Sequence, residues 1–319
     1  MPRQVVRPGL PARPVRAELN NPDGTWVDPM TKTFLIAGAA GGLGQQMVEA
    51  ALRAGHNVLA ADLVPEAVPT PAGHGDRLRV CAVDVTSGDA ARAAVQRAVA
   101  EFGGLDVLVN SVGQRIVGSI EDMPEDEFHR SMEINFFGAV NMVRAALPVM
   151  RKQRSGRIVN VSTIGGRRAQ PGLAAYQSAK WALGGFTEIL ARELEPVGVH
   201  ATLIEPGGIR TPWATAPIPM PALHDEYDAT VANFVRTYND NPDVQRGDPA
   251  KMAQVILRLV EEPRPPVRLL LGSDAAWLAP LIAQARAGED DAWREVTLST
   301  DLDGLGDFAA TPVAQLVRP

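Results

Sequence analysis

Short apolar runs alternate along most of the chain with longer segments in which apolar residues recur every three or four positions. A short run bounded by turn residues is typical of a buried strand, and the longer spacing is typical of a helix packed by one face. The predicted strands cover residues 33–37, 56–62, 79–83, 105–109, 157–161, 200–204 and 267–271. The predicted helices cover residues 45–54, 88–102, 125–153, 173–194 and 248–260. This alternation predicts a single α/β domain of the Rossmann type, a doubly wound parallel sheet with helices on both faces.

A glycine-rich turn separates the first predicted strand from the first predicted helix. Its glycines and the leucine among them are Gly38, Gly41, Gly42, Leu43 and Gly44. Strand, glycine turn and helix together build an anion site, because bare backbone can approach a pyrophosphate and the helix N-terminus favours its negative charge. The alternative is an ordinary flexible loop. We predict a dinucleotide site because of the acidic residue that follows.

Asp62 ends the second predicted strand, eighteen residues beyond Gly44. An acid at this place can accept hydrogen bonds from the adenosine ribose and repels a 2′-phosphate. Leu63 follows where a basic residue would have favoured that phosphate. The alternative is a solvated aspartate at a strand end. We therefore predict NAD, with NADP the less favoured cofactor.

Tyr176 and Lys180 lie about one turn apart on a predicted helix, so their side chains share a face. An ammonium beside a phenol favours the phenolate and lowers a pKa that is ordinarily about 10. The pair is therefore predicted to act as a general acid/base near neutral pH. Ser162 and Thr163 precede Tyr176 by fourteen and thirteen residues and supply hydroxyls for a substrate oxygen. The position of this pair behind a dinucleotide half makes the prediction strong.

These motifs and their order resemble the short-chain dehydrogenase/reductase family over about residues 31–272. The matching segments are Ala37–Gly44, Asp84-Val85-Thr86, Asn110-Ser111-Val112-Gly113, Ile134–Gly138, Asn160–Thr163 and Pro206-Gly207-Gly208 with Thr211. Residues 268–275 are similar to a branch related to the 17β-hydroxysteroid dehydrogenases. Many members of that branch bind NADP, which conflicts with Asp62. We predict NAD because the negative charge of Asp62 would repel the 2′-phosphate of NADP.

The resemblance implies a role for each matching position. The implied catalytic residues are Asn135, Ser162, Thr163, Tyr176 and Lys180. The implied cofactor-binding residues are Gly38, Gly41, Gly42, Leu43, Gly44, Asp62, Leu63, Asp84, Val85, Asn110, Ser111, Gly113, Tyr176, Lys180, Pro206, Gly207, Ile209 and Thr211. The implied substrate contacts are Thr163, Tyr176 and Trp213. Thr163 stands where the family usually has its catalytic serine, so we favour Thr163 over Ser162 and keep both open.

The predicted function is an oxidoreductase that transfers a hydride between NAD(H) and a secondary alcohol or ketone. A non-catalytic dinucleotide sensor is one alternative, although such a protein would usually lack the tyrosine or lysine. A nucleotide-sugar epimerase or dehydratase is another, although it would have a differently spaced glycine loop and a longer substrate domain. Arg167 and Arg168 lie on the loop after Thr163 and could meet an anionic substrate, but exposed loop arginines are more often solvated.

Three segments fall outside the regular alternation. Residues 1–30 are rich in proline and arginine and are predicted to form a disordered arm. Residues 212–245 begin with crowded prolines, continue into a part that can be helical, and follow the Pro-Gly turn where a substrate lid would lie. Residues 273–319 are predicted to be a C-terminal helical extension beyond the catalytic domain at 31–272.

Composition narrows the partners and the location. The net charge of −6 argues against a nucleic-acid partner. Cys81 is the only cysteine, the five histidines show no metal-ligand spacing, and no apolar stretch is long enough for a membrane span. We expect a cytoplasmic protein without a metal. We also expect a homodimer or homotetramer that packs through the helices at 125–153 and 173–194. Their apolar residues include Phe136, Phe137, Trp181, Leu183 and Phe186.

Overall fold

A computed structural model describes residues 31–317, and seven strands in this range form one sheet. The strands are β1 (Thr33–Ala37), β2 (Asn57–Asp62), β3 (Leu78–Ala82), β4 (Val107–Asn110), β5 (Gly156–Val161), β6 (Val199–Pro206) and β7 (Arg268–Leu271). Every neighbouring pair is parallel, and the order across the sheet is β3-β2-β1-β4-β5-β6-β7. The predicted doubly wound parallel sheet is confirmed. The predicted arm at residues 1–30 lies outside the described residues.

Helices cover both faces of the sheet and continue beyond its last strand. The helices are α1 (Gly42–Arg53), α2 (Gly88–Phe102), α3 (Glu125–Met132), α4 (Gly138–Gln153), α5 (Ala174–Leu194), α6 (Pro212–Thr215), α7 (Asn233–Asp240), α8 (Pro249–Glu261), α9 (Ser273–Ala292), α10 (Arg294–Leu298) and α11 (Pro312–Leu316). A π-helical turn at Glu133–Phe137 joins α3 and α4 into one continuous run. Side chains cap four of these helices as expected for their residue types: Ser87 at α2, Thr211 at α6, Asp248 at α8 and Thr311 at α11.

The core lies in two layers, one on each side of the sheet. In β1 all five residues are buried, and alternate side chains enter opposite layers. Phe34 and Ile36 pack in the layer of α1 and α8, while Leu35 packs in the layer of α2 and α4. A strand covered on both faces has to be apolar throughout, which explains the continuous run in the sequence.

Two segments differ from the sequence prediction in detail. Helix α1 begins at Gly42 rather than at residue 45, because the last glycines of the turn already have helical conformation. Because glycine has a low helix propensity, the sequence pattern predicts a later start for this helix. Residues 216–224 have no regular secondary structure, and the segment then becomes helical from Asp225 to Asp240 through a 3-10 turn, a π turn and α7.

Candidate active site

The glycine turn between β1 and α1 is packed so tightly that side chains would not fit. Gly38 has a positive φ of 82°, and a Cβ placed on it would lie 2.8 Å from the backbone of Ser111. A Cβ placed on Gly44 would lie 2.0 Å from the carbonyl oxygen of Gly38. Leu43 turns its side chain into the core, so its backbone N–H alone is available to a phosphate. The turn presents bare backbone at the N-terminus of α1, as a pyrophosphate site requires.

Asp62 fixes this turn as well as ending β2. Its Oδ2 accepts a hydrogen bond of 2.9 Å from the backbone N–H of Ala40, and its Oδ1 accepts one of 3.2 Å from Val64. The neighbouring Leu63 is exposed and offers no positive charge. The carboxylate therefore has a second role that the sequence did not indicate, which is to hold the glycine turn against β2.

The segment after β3, residues 84–86, is held in place by helix α4. The carboxylate of Asp84 accepts hydrogen bonds from the backbone and hydroxyl of Thr86, at 2.9 and 2.7 Å. Asn141 on α4 donates to the carbonyl oxygens of Val85 and Thr86 at 3.0 and 3.1 Å. Gly138 lets Val85 approach α4, since a Cβ there would lie 2.6 Å from the valine side chain. Sequence reasoning missed Asn141, which no motif marks.

A chain of buried amides and a hydroxyl ties the ends of β4 and β5 to α5. The Nδ2 of Asn110 donates to Asn160 at 2.8 Å, and the Nδ2 of Asn160 donates to the Thr187 hydroxyl at 3.0 Å. That hydroxyl donates to the carbonyl oxygen of Leu183 at 2.7 Å. The Oδ1 of Asn110 is buried without a partner among residues 31–317. It lies at a small cavity that Asn135 and Lys180 also line.

Lys180 is almost fully buried, and its ammonium is held by backbone rather than by an acid. Its Nζ donates to the carbonyl oxygens of Val112 at 3.3 Å and Val161 at 3.1 Å, the ends of the β4 and β5 segments. Burial lowers the pKa of the Lys180 ammonium to about 8. The lysine is thus fixed at the meeting point of two strand ends.

The pKa of Tyr176 moves in the direction opposite to the sequence prediction. The Lys180 Nζ lies 5.9 Å from the centroid of the Tyr176 ring. Although part of the ring surface stays exposed, dense packing around it raises the pKa of the Tyr176 phenol to about 12, with a lowering contribution from Arg115. The expected net lowering by Lys180 is wrong for this arrangement, because the cost of desolvating the phenolate outweighs the nearby positive charges.

The two neighbouring hydroxyls have different surroundings. Ser162 is buried, and its Oγ donates to the carbonyl oxygen of Lys180 at 3.3 Å, inside the contact between β5 and α5. The Oγ1 of Thr163 donates to the carbonyl oxygen of Pro206 at 3.4 Å and accepts from Gly165 N–H at 3.1 Å. Thr163 therefore lies at the end of the sheet beside the Pro-Gly turn, while Ser162 is occupied within the fold.

Asn135 occupies the π turn between α3 and α4, and its amide is saturated by backbone. Its Oδ1 accepts from Gln114 N–H at 3.0 Å, and its Nδ2 donates to the carbonyl oxygens of Gln114 and Ser131, each at 2.9 Å. A buried amide requires hydrogen-bond partners, and these backbone groups supply them. The side chain thus fixes the loop that follows β4 at Gln114, and the Ser111 N–H separately holds the start of that loop by donating to the carbonyl oxygen of Ala37 at 2.9 Å.

The Pro-Gly turn after β6 is fixed by α9. The N–H of Gly208 donates to Asp274 Oδ2 at 2.7 Å, and Gly207 N–H donates to the carbonyl oxygen of Leu271 at 2.9 Å. A Cβ on Gly207 would lie 2.0 Å from the Asp274 carboxylate, so glycine is needed for this close approach. Sequence reasoning placed Asp274 in the family-like segment at 268–275 but assigned it no role.

Beyond this turn the chain passes over the glycine turn. Ile209 forms a parallel bridge with Gly247, and the Thr211 hydroxyl accepts from Ala214 N–H at 3.3 Å, which caps α6. A Cβ on Gly42 would lie 2.5 Å from the Thr211 side chain. Thr211 thus packs directly on the glycine turn, with its hydroxyl used in the α6 cap.

Three side chains from distant parts of the chain meet beside Tyr176. The Trp213 ring is half-exposed, and its centroid lies 6.4 Å from that of Tyr176. The guanidinium carbon of Arg115 lies 4.8 Å from the Trp213 centroid and 4.9 Å from the Tyr238 centroid. Sequence reasoning found Trp213 and missed Arg115 and Tyr238, because nothing in their spacing shows that they meet.

The two arginines that the sequence suggested for anion contact lie elsewhere. Arg167 pairs with the fully buried carboxylate of Glu205 through two hydrogen bonds, and Arg268 also donates to Glu205 at 2.7 Å. Arg168 is exposed and contacts the side chain of Gln170. Arg167 is therefore occupied by an internal ion pair, and it is not available to a substrate.

Two general features of the described part bear on the kind of site. Across residues 31–317, no helix is both long and apolar enough to span a bilayer. The same residues contain no group of three or more histidine, cysteine, aspartate or glutamate side chains placed to hold a metal ion.

The comparisons with known proteins assign the family. The profile of the family described as short chain dehydrogenase matches residues 32–219. An oxidoreductase of Botryotinia fuckeliana, BOA17, is 39% identical over 273 residues, which is 85% of this chain and all of that protein. The chain belongs to the short-chain dehydrogenase/reductase family, as the resemblance predicted, and to its oxidoreductases.

Two solved structures agree with the fold. A short-chain dehydrogenase from Streptomyces avermitilis is 33% identical and matches with a TM-score of 0.77, over 85% of this chain and all of that one. A short chain dehydrogenase from Burkholderia cenocepacia, crystallised with NADP, is 23% identical and matches with a TM-score of 0.64 over 82% of this chain and 97% of that one. The family binds a nicotinamide dinucleotide and acts on small molecules. The 17β-hydroxysteroid branch is only loosely suggested by these likenesses.

Proposed function

We propose that this protein transfers a hydride between NAD(H) and a secondary alcohol or ketone, with Tyr176 as general acid/base. The observation that carries the proposal is the position of Tyr176 and Lys180 on one face of α5, at the ends of β4 and β5. Lys180 is anchored there by the carbonyls of Val112 and Val161, and Thr163 lies beside the Pro-Gly turn. The geometry is a hydroxyl, a phenol and an ammonium around one cleft.

The residues present fit a bound dinucleotide. The glycine turn leaves no room for a Cβ at Gly38 or Gly44, so its backbone can approach a pyrophosphate at the start of α1. Asp62 stands at the end of β2, where it would accept from the ribose hydroxyls of NAD. The segment 84–85, the Asn110–Gly113 loop and the residues from Pro206 to Thr211 would line the rest of the dinucleotide. Lys180 would hold the nicotinamide ribose.

The bound nicotinamide supplies the hydride acceptor in oxidation and the hydride donor in reduction. In oxidation, Tyr176 as phenolate takes the O–H proton while the hydride leaves the carbinol carbon, which gives a ketone and the neutral phenol. In reduction, the phenol returns that proton to the oxygen as the carbonyl carbon receives the hydride. The Thr163 hydroxyl donates to the substrate oxygen where negative charge develops. Asn135 acts through Gln114 by positioning the loop after β4.

The proposal extends to a lid and to assembly. Residues 212–245 would form a lid that brings Trp213 over the substrate. We also propose a homodimer or homotetramer through the helices at 125–153 and 174–194. Phe137 and Trp181 are 44% and 42% exposed there, whereas Leu183 is buried in the core and does not contribute. Light scattering at micromolar protein should give a mass well above the 34.0 kDa of one chain, and a monomer would overturn the assembly.

The central test is Tyr176→Phe. The substitution removes the proton donor and leaves the backbone cradle intact, so turnover should fall at least about 10²-fold while the Kd for NADH stays within about threefold. Tyr227→Phe is a matched control, because it also removes one phenol hydroxyl, and the Tyr227 hydroxyl donates to Glu121 on the surface rather than to a group of the proposed acid/base site. Activity above a tenth of wild type in Tyr176→Phe would overturn the mechanism. Cofactor binding without turnover of any alcohol or ketone would favour a sensor instead.

A further inference from the structure

Arg115 is the one site arginine that the proposed mechanism does not use. Its guanidinium carbon lies 4.8 Å from the Trp213 centroid and 4.9 Å from the Tyr238 centroid. Two aromatic rings thus hold the planar cation by attraction between positive charge and ring face. A guanidinium has five N–H donors, and those that the rings do not cover are available to a ligand. Arg115 is partly exposed, so that edge is accessible from the cleft.

The backbone before Arg115 is fixed by the site itself. Asn135 accepts a hydrogen bond from Gln114 N–H at 3.0 Å and donates one to the Gln114 carbonyl oxygen at 2.9 Å. These two bonds fix the backbone immediately before Arg115. On the other side, the Tyr238 hydroxyl donates to the carbonyl oxygen of Ala214 at 2.6 Å, which ties α7 to α6 near Trp213. The backbone that precedes Arg115 and the Tyr238 ring that its guanidinium contacts are therefore both fixed by hydrogen bonds.

The charge of Arg115 has no internal counterpart. Within residues 31–317 its guanidinium forms no ion pair, whereas Arg167 is paired with the buried Glu205. The positive charge also acts on the reaction centre, because it lowers the pKa of Tyr176 against the larger effect of burial. A fixed, unpaired cation beside the acid/base residue is the arrangement expected for recognition of an anionic substrate group.

We propose that Arg115 binds the carboxylate of an acidic substrate whose hydroxyl or ketone lies at Tyr176 and Thr163. This inference rests on the proposed oxidoreductase function and adds the substrate class, which is secondary hydroxy acids and their oxo acids. The carboxylate would accept two hydrogen bonds from the guanidinium edge, a geometry that arginine provides and lysine does not. The rings of Trp213 and Tyr238 would shield the ion pair between Arg115 and the carboxylate from water.

The test compares matched acid and neutral substrates. A panel of secondary hydroxy acids, with two to five carbons between hydroxyl and carboxylate, is assayed with NAD beside the carboxamide of each acid. Wild type should prefer the best acid over its carboxamide by about 10- to 100-fold in kcat/KM, the size expected for a charge-assisted hydrogen bond. Arg115→Met should bring that ratio to within about threefold of one. Arg115→Lys should give an intermediate ratio, because lysine keeps the positive charge but lacks the two parallel N–H donors of the guanidinium.

The ratio separates recognition from a structural role. Any change in Tyr176 or in the lid alters the acid and its carboxamide together and cancels in their ratio. If Arg115 only braces residues 212–245, both activities fall and the preference for the acid persists, which would overturn the proposal. Arg168→Met is the control, since Arg168 is an exposed arginine that contacts Gln170 alone, and it should keep the wild-type ratio.

Failure of this inference is distinguishable from failure of the proposed function. A wild type that oxidises neutral alcohols, yet turns over acids no better than carboxamides, overturns the role of Arg115 and leaves the oxidoreductase function intact. A wild type that binds NADH but turns over neither acids nor neutral alcohols overturns both. The wild-type ratio alone decides the question if Arg115→Met does not fold.

Discussion

The two halves of the cleft are built from different kinds of contact. In the dinucleotide half, backbone approaches backbone, and a Cβ at Gly44 would lie 2.0 Å from the Gly38 carbonyl oxygen. In the proposed substrate half, side chains meet side chains, and the Arg115 guanidinium lies over the rings of both Trp213 and Tyr238. The first half has almost no tolerance for added atoms, whereas the second can be varied residue by residue.

The largest effect is expected from Gly44→Ala in the dinucleotide half. The atoms that the new Cβ would meet are backbone atoms of Gly38 and Ala39, which cannot rotate away, so the turn itself has to deform. The Kd for NADH should rise at least about 10²-fold, because the N–H groups of the turn would no longer converge on the pyrophosphate. Fluorescence titration of NADH measures this change.

Gly288→Ala is the matched control for that variant. Gly288 lies in α9, and no atom lies within 4 Å of its Cβ position. Alanine at an exposed helix position should stabilise the protein slightly, by about 0.5–1 kcal/mol, and should leave the Kd unchanged. If the Kd of Gly44→Ala for NADH stays within threefold of the wild-type Kd, the glycine turn is less rigid than its packing implies.

Cofactor choice should show an intermediate effect, and it depends on Asp62. Facing the 2′-phosphate of NADP, the carboxylate would meet a like charge at a cost between about 1 kcal/mol in water and about 4 kcal/mol at an effective dielectric of 20, for charges 4 Å apart. Since each 1.4 kcal/mol is about tenfold, kcat/KM should favour NAD by roughly 10- to 10³-fold. Asp62→Ala with Leu63→Arg should narrow or reverse this preference.

The hydrogen bond from Ala40 to Asp62 allows a sharper version of the cofactor test. Alanine at position 62 removes the charge and also the acceptor that holds the glycine turn. Asp62→Asn removes the charge and keeps an acceptor, so it should narrow the preference while NAD affinity falls less than in Asp62→Ala. Steady-state kinetics with both cofactors distinguish the two variants. Equal use of NADPH and NADH by wild type would show that Asp62 does not select the cofactor.

The difference between the halves also explains what could be predicted from the sequence. Strands and helices were found because burial on both faces or on one face imposes a local period. The glycine turn, Asp62 and the Tyr176–Lys180 pair were found because their spacing is short. Arg115 and Tyr238 were missed because they come from segments more than 100 residues apart in the chain. No local sequence pattern indicates that two such distant residues are in contact.

Two further features depended on packing and not on spacing. The pKa of Tyr176 rises to about 12, and this result follows from how densely the ring is surrounded, which the sequence does not specify. The different surroundings of Ser162 and Thr163 follow from the direction of each hydroxyl, with Ser162 bonded to the Lys180 carbonyl and Thr163 to the Pro206 carbonyl. Both are consequences of tertiary structure at residues whose identity was already predicted.

The smallest effect is expected where residues 212–245 meet the loop after β4. His224 pairs with Asp122, and the Tyr227 hydroxyl donates to Glu121 at 2.6 Å. These contacts are largely exposed, and an exposed pair contributes only about 0–1 kcal/mol. Removing both, with His224→Gln and Tyr227→Phe, should raise hydrogen exchange of backbone amides in 224–240 by about 2- to 10-fold. The melting temperature should change little, and kcat/KM should stay within about threefold.

Arg236→Gln is the internal control for this contact. Arg236 pairs with Asp228 inside the same segment, so its loss removes an exposed ion pair without releasing the segment from the loop. If the double variant and Arg236→Gln raise exchange equally, the contacts to Asp122 and Glu121 do not hold the segment in place. If only the double variant does, residues 212–245 open as a unit about these two contacts. The substrate half would then be the mobile half of the cleft, in contrast to the closely packed turn at Gly44.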